Sequence, residues 1–312
     1  MLGGGWVDLL LLGRSFVEAW TGRAPSEKTK DEHARRNGRR LETAETRKPG
    51  EGNAPRSVYQ LCETMMSIDP RRRYQTPSQV LDAVRAAIAN GANSIYLGAE
   101  RFNARDDGAQ LTLDDLERAC LLAHAHGARI YLTFNVLLKP AELHEALLHL
   151  GDCIDRGVDA AIVQDVGAVR LIQRIYPALE IHGSTQMTVH DPAGARVLHE
   201  LGVQRVVLAR ENTLEDLRAI RQAVPELGLE SFIHGALCIS YSGQCYMSGL
   251  ISERSANRGA CAQSCRKDYV LMDAVTETEL DRGYLISAKA LAAAENLDAI
   301  AEAVTGCPQI EG

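Results

Sequence analysis

From residue 91 onward the hydrophobic pattern repeats as one unit: an apolar-periodic helix, a glycine followed by a small residue, then a short β-branched run. Gly91-Ala92 leads into Ser94-Ile95-Tyr96-Leu97, Gly127-Ala128 into Ile130-Tyr131-Leu132, Gly157-Val158 into Ala161-Ile162-Val163, and Gly202-Val203 into Val206-Val207-Leu208. Glycine just past a helix end supplies the left-handed cap, and helical periods alternating with short buried runs predict parallel βα units. Runs at 180–182, 229–233 and 309–310 bring the predicted strands to seven. No Gly-x-Gly-x-x-Gly fingerprint accompanies them, which favours a TIM-type (β/α)8 barrel over a doubly wound sheet. A helix is predicted over 79–90, but only Arg71-Arg72-Arg73-Tyr74-Gln75-Thr76 precedes it, with no apolar strand. The barrel is therefore expected to be incomplete, with its first strand missing and two neighbouring edges unpaired.

A barrel carries its chemistry at the C-terminal ends of its strands. There the runs turn polar: Asn103 and Arg105, Asn135, Gln164 and Asp165, Ser184 and Gln186, Arg210 and Glu211, and His234. Strand ends meet loops and loops are polar, which accounts for one or two of these residues. Convergence of a histidine, two arginines, several amides and two acids on one rim is the alternative, with His234, Gln186, Arg210, Glu211, Asn135 and Arg105 as candidate catalytic residues. Arg210 and Arg105 suit a carboxylate or phosphate through forked hydrogen bonds, and His234 suits proton transfer or, equally, fixing the turn that follows it.

Directly after His234, Cys238, Cys245, Cys261 and Cys265 lie in a C-x6-C-x15-C-x3-C array among Gly, Ser and Asn, with no helical or strand period; Cys62, Cys120, Cys153 and Cys307 are scattered singly. The first eleven residues lack a basic region and a cleavage site, and no apolar run reaches the length of a membrane span, so a cytoplasmic chain with reduced thiols is expected and a disulfide framework is not. Structural zinc usually uses paired C-x2-C knuckles. Four thiols without a neighbouring histidine also suit an iron–sulfur cluster, and zinc stays open beside it. There is no H-E-x-x-H and no G-x-S-x-G; Ser242 and Ser248 lie near the thiols, with nothing to mark either as a nucleophile.

The stretch 232–265, with its H-G-A-L-C, Y-S-G-Q-C, M-S-G and N-R-G-A-C-A-Q-S-C-R pieces, closely resembles the signature of peptidase family U-32, the collagenase-like family. G-A-N-S-I-Y-L-G-A-E-R-F-N-A-R, H-G-A-R-I-Y-L-T-F-N, H-G-S-T-Q-M and V-V-L-A-R-E-N-T-L-E-D-L resemble the same family in the same order, as does the terminal Q-I-E-G, so the resemblance runs from about residue 80 to 312. It implies a 4Fe-4S cluster on Cys238, Cys245, Cys261 and Cys265, and oxygen-independent hydroxylation of a tRNA wobble uridine, a ribosomal RNA cytidine or a ubiquinone precursor. The cysteine spacing resembles the RNA-directed branch. A tRNA or rRNA partner and a small-molecule oxygen donor follow as expectations, with proteolysis, quinone-precursor hydroxylation and a zinc-stabilised non-enzymatic module as alternatives.

Residues 8–25 and 65–84 resemble the last helices of a serine/threonine protein kinase lobe, without any kinase catalytic motif. This suggests a helical remnant over 1–25 and 58–85, a charged, disordered linker over 26–57, and the barrel over 86–312 with its cysteine loop at 235–268. Charge divides the chain likewise: residues 91–312 carry 19 Lys+Arg against 30 Asp+Glu, a net of −11. An acidic barrel argues against a broad nucleic-acid face, but Arg254, Arg258, Arg266 and Lys267 make a small basic rim at the thiols, against Glu253 and Asp268.

Overall fold

The computed structural model describes residues 77–89, 91–104, 111–292, 297–304 and 308–310. The kinase-like segments before residue 77, the 26–57 linker, Arg105 and Cys307 lie outside them.

Helix α1 (Pro77–Ala89) leads into β1 (Ser94–Gly98), and α2 (Leu113–His124) into β2 (Arg129–Phe134). The alternation continues through α3 (Leu143–Asp155), β3 (Ala160–Val163), α4 (Val166–Ile175), β4 (Glu180–Gly183), α5 (Pro192–Glu200), β5 (Arg205–Val207), α6 (Leu214–Ala223) and β6 (Gly228–Ala236). The cysteine segment then carries the short helix α7 (Met247–Ser252), a hairpin of β7 (Tyr269–Met272) and β8 (Glu279–Gly283), and β9 (Ala290–Ala292), before α8 (Leu297–Val304) and β10 (Pro308–Ile310). Gly91, Gly127, Gly157 and Gly202 take positive φ of 92, 72, 98 and 86°, the left-handed helix ends the sequence predicts. Helix starts are equally local: Thr112 caps α2, Asp165 caps α4, Asp191 precedes Pro192 on α5, and Thr213 with Asp216 forms a reciprocal box on α6.

Seven parallel strands pair in the order β1-β2-β3-β4-β5-β6-β10, with β9 antiparallel on β6 and β7–β8 a separate ribbon. Among the described residues β1 and β10 do not pair, so the described sheet is an open arc of a (β/α)8-type barrel. The register places Tyr96 beside Tyr131, Tyr131 beside Ala160, and Ile162 beside His182. Strand parity then sends Ile95, Leu97, Ile130, Leu132, Ala161, Val163, Ile181 and Val206 to the helix side, where they share one core with Leu116, Leu150, Ile172, Leu198 and Ile220. Each fully buried Leu or Ile there stabilises by about 1.5–3 kcal/mol.

The opposite face is a separate, smaller cluster of Tyr96, Tyr131, Ala160 and Ile162, and it continues into charge. His182, 0% exposed, bonds through Nε2 to Glu180 Oε1 at 2.9 Å and meets the Tyr131 ring edge-on at 4.6 Å. Arg129 lies 3.6 Å from Glu180, and Glu230 is fully buried on β6. Burial holds the His182 imidazole below its usual 6.5, and the hydrogen bond from His182 holds Glu180 below its usual 4.5.

Both shifts have the same sign. Unfolding lets His182 take up a proton below pH 6.5 and Glu180 below about 4.5, so acid favours the unfolded chain and their contribution is complete only above those values. His149, also held low by burial, adds to the first window. The urea midpoint is expected to fall from pH 7 to pH 5, with each such histidine contributing up to about 1.4 kcal/mol per pH unit below 6.5. His182→Gln should flatten that slope; a variant with the wild-type slope would show that His182 is not held neutral in the fold.

Candidate active site

The strand ends form a rim, and the cysteine segment that leaves β6 folds back over it. The two meet at Ser242. Its backbone N–H donates to Glu211 Oε1 at 3.1 Å, its hydroxyl donates to Glu211 Oε2 at 2.8 Å, and the same hydroxyl accepts from the Arg210 backbone at 3.1 Å. Beside it Gly243, at φ 74°, lies so close to Gln186 that a Cβ would collide with the Gln186 carbonyl. Thr188 closes the contact: it donates to the Ser242 carbonyl at 2.6 Å and accepts from Gln244 Nε2 at 3.0 Å. Only glycine gives both the left-handed turn and this approach at position 243.

Two arginines hold the remainder of the segment. Arg258 donates to the Leu137 carbonyl and, at 2.7 Å, to Glu142 Oε1, tying the loop to the β2–α3 connection. A backbone bond from Lys139, with the Arg258 guanidinium second, holds the Glu142 carboxyl below its usual range. Arg266 donates to Ser287 Oγ at 2.6 Å and to the carbonyls of Ala288 and Leu237. The residue after Cys265 is thus bonded to the residue before Cys238, which joins the two ends of the thiol segment.

The rim residues divide by role. With its amide turned to satisfy its neighbours, buried Gln164 donates to Gln186 Oε1 at 2.8 Å, the Asn135 carbonyl at 3.0 Å and the Asn257 carbonyl at 3.3 Å. It therefore joins β3, β2, the β4 rim and the cysteine loop. Asn135 accepts from the Ala104 backbone at 2.9 Å, and Asn103, buried, donates to the Ala99 carbonyl at 2.8 Å. Asp165 caps α4 and accepts from Leu138, and Ser184 caps the turn at 185–187, so both are structural. The Arg210 guanidinium lies over the Phe232 ring, 4.4 Å from its centroid. His234 is on β6, paired with Ala292 and Ile310; its side chain and Arg105 lie outside the described residues.

Cys238 and Cys261 are exposed, Cys245 and Cys265 half-buried, and all four are free thiols. Burial pushes the Cys265 thiol up, Arg266 opposes this, and the three other cysteines add to the rise, so each of them lies within electrostatic reach of Cys265. No three His, Cys, Asp or Glu among the described residues stand close enough to share a single metal ion. Cys120 and Cys153 are different: buried between α2 and α3, their thiols are pushed up to about 12 and are inert.

The structure departs from the sequence reading in two places and agrees with it in a third. The cysteine segment is not wholly irregular, since α7 runs through its middle. Arg258 and Arg266 of the basic rim are internal anchors. Ser242 and Ser248 are 2% exposed, their hydroxyls engaged with Glu211 and the Ala262 backbone, and neither is presented as a nucleophile.

The sequence matches the model of peptidase family U32 over residues 79–312. Among curated proteins it is 39% identical to the 23S rRNA 5-hydroxycytidine synthase of Escherichia coli over 237 residues, 76% of this chain and 36% of that protein. It is 34% identical to tRNA hydroxylation protein P of the same organism, over 62% of this chain and 43% of that one. It is 31% identical to a protein named collagenase from Porphyromonas gingivalis, over 74% and 58%. The chain spans less than half the length of the two RNA-hydroxylation relatives.

Gly243→Ala is expected to release the loop. The left-handed backbone alone costs about 1–2 kcal/mol in an alanine, and the collision with Gln186 adds to it. Gly249→Ala, whose Cβ would meet nothing nearer than Arg254 O at 3.7 Å, is the control and should be near neutral. Limited proteolysis should cut the first variant faster within 238–267; equal rates in both would show that the Ser242–Gly243 contact does not hold the loop.

Proposed function

The chain belongs to peptidase family U32, and we propose that it is the barrel portion of an iron–sulfur enzyme that hydroxylates a base of tRNA or rRNA without molecular oxygen. The observation that carries this reading is the delivery of four thiols by one anchored loop to the polar mouth of a barrel. The relatives named for rRNA and tRNA hydroxylation share this stretch of chain at 39 and 34% identity.

The donor set fits a cluster. All four candidate ligands, Cys238, Cys245, Cys261 and Cys265, are soft thiols, and their mutual repulsion when ionised calls for a cationic core between them. Zinc holds each thiolate at about 2.3 Å and so needs the four sulfurs in mutual contact. The irregular spacing of the four cysteines, unlike the paired C-x2-C knuckles of such closed zinc sites, is what favours a cluster. Bound there, a 4Fe-4S cluster would supply one-electron transfer at the barrel mouth.

The chain's own residues then do the rest. Gln186, held by Gln164 at 2.8 Å, offers its amide N–H to a base edge. The Arg210 guanidinium, held over Phe232, is suited to the carboxylate or phosphate of a small-molecule oxygen donor. Among the described residues no helix is long and apolar enough to cross a membrane, and an RNA substrate fits a cytoplasmic setting.

Anaerobic purification with iron, sulfide and zinc analysis tests the reading. About four irons and a broad visible absorbance are expected, lost in Cys261→Ala, together with incorporation of oxygen into a tRNA or rRNA base by mass spectrometry. A colourless folded protein with one zinc would favour the zinc module instead. Peptide cleavage that survives iron chelation but not thiol alkylation would favour the peptidase.

A further inference from the structure

Two tyrosines on the cysteine segment are among its most exposed side chains, Tyr241 at 71% and Tyr246 at 68%. An exposed tyrosine by itself is ordinary surface. These two differ because the backbone between them is among the most tightly held in the loop. Ser242 is bonded three ways to Glu211 and Arg210, Gly243 is pressed on Gln186, and Gln244 is bonded to Thr188. The Tyr241 carbonyl accepts from Gln244 N at 3.0 Å, and the Tyr246 carbonyl accepts from Leu250 N at 3.1 Å as α7 begins. Two aromatic rings are therefore presented to solvent on a fixed frame, with one candidate ligand, Cys245, next to Tyr246 in sequence.

The charge around them is unlike that of the rest of the barrel. Within a 91–312 region of net −11, residues 238–268 carry Arg254, Arg258, Arg266 and Lys267 against Glu253 and Asp268. Arg258 is neutralised by Glu142, but the bonds described for Arg266 go to a hydroxyl and two carbonyls, none of which cancels its charge. Arg254 and Lys267 are exposed. A small basic island bearing exposed aromatics is the combination that binds single-stranded nucleic acid: cations track the phosphates while bases stack on the rings.

We propose that Tyr241 and Tyr246 form a stacking platform that receives an unpaired nucleobase of RNA beside Cys245, with Arg254 and Lys267 positioned for its flanking phosphates. This rests on the RNA reading above and gives it a recognition mode. Chemistry on a base needs that base out of its helix, and an aromatic face offsets the stacking lost on leaving. The platform selects unpaired over duplex RNA, with little dependence on which base is stacked.

Fluorescence anisotropy with the anaerobically purified full chain, a labelled single-stranded RNA 12-mer and its duplex tests this. Wild-type protein should prefer the single strand. Tyr241→Ala and Tyr246→Ala should each weaken that binding about 5- to 100-fold, while Tyr→Phe at the same positions restores it. Lys267→Ala should lower the salt dependence by about 0.7 of a log–log unit. Visible absorbance and thermal midpoint of the tyrosine variants, unchanged from wild type, report that the loop is intact. Single-strand binding by wild type that persists in both alanine variants overturns the platform and leaves the RNA reading standing. Absence of RNA binding by the wild type overturns both. RNA affinity unchanged in the alanine variants while sedimentation shows altered self-association assigns the rings to a protein interface and overturns the proposal.

Discussion

The contact between Ser242 and Glu211 determines what the rest of the site can be. The segment from β6 to β7 exceeds thirty residues and contains only α7 and two single-turn 3-10 helices, Ala256–Arg258 and Ser264–Arg266, as regular structure, so its conformational entropy is large and few of its own contacts offset it. A carboxylate accepting from both the backbone and the hydroxyl of one buried serine is a charge-assisted pair of bonds, each stronger than its neutral counterpart. The remaining anchors continue from that point. Ser242 lies between Cys238 and Cys245, Arg258 precedes Cys261, and Arg266 adjoins Cys265 while reaching back to Leu237. Every thiol thus has a fixed point within a few residues of chain, which is how a loop with so little secondary structure can hold four of them in register.

The barrel's inner face sets a second constraint. A filled (β/α)8 interior is usually layered with branched aliphatic side chains. Here the aliphatic core is on the helix side, and the inner face carries Tyr96, Tyr131, His182, Glu180 and Glu230. Buried polar groups need partners, and His182 and Glu180 supply one to each other while the Tyr131 ring packs edge-on against the imidazole. The arrangement keeps the space beneath the mouth polar, and it makes the arc's stability depend on histidine remaining neutral.

Much of this was legible in the sequence because it is local. A glycine that must take positive φ, a capping Thr or Asp, and a run of β-branched residues each act within a few positions, and all seven parallel strands follow from them. The rim residues were legible as chemistry but not as partners. Asp165 and Glu211 are both acids after a strand, yet one caps its own helix through Ala168 three residues on and the other clamps a loop residue 31 positions away. His182 escaped notice because E-I-H-G is too short for a period of two to show which face it occupies; only pairing with Ile162 and Arg205 reveals it. The β7–β8 ribbon was missed for a related reason, since its strands are exposed on both faces and carry no alternation.

Backbone strain completes the argument about the loop. Among the described residues Phe102, Thr188, Glu253, Gln263 and Glu277 adopt positive φ without being glycine, and Thr188, Glu253 and Gln263 lie on the thiol segment or the turn it docks against. A non-glycine residue there costs about 1 kcal/mol or more and persists only where its surroundings over-determine it. Thr188 is held by two hydrogen bonds to the loop, and Gln263 turns the chain between Cys261 and Cys265 so that its carbonyl accepts from Arg266. Three of these five positions therefore lie where thiols are aimed, and the hydrogen bonds that hold Thr188 are among those that anchor the loop. A fold indifferent to the position of these cysteines would have no physical reason to place both there.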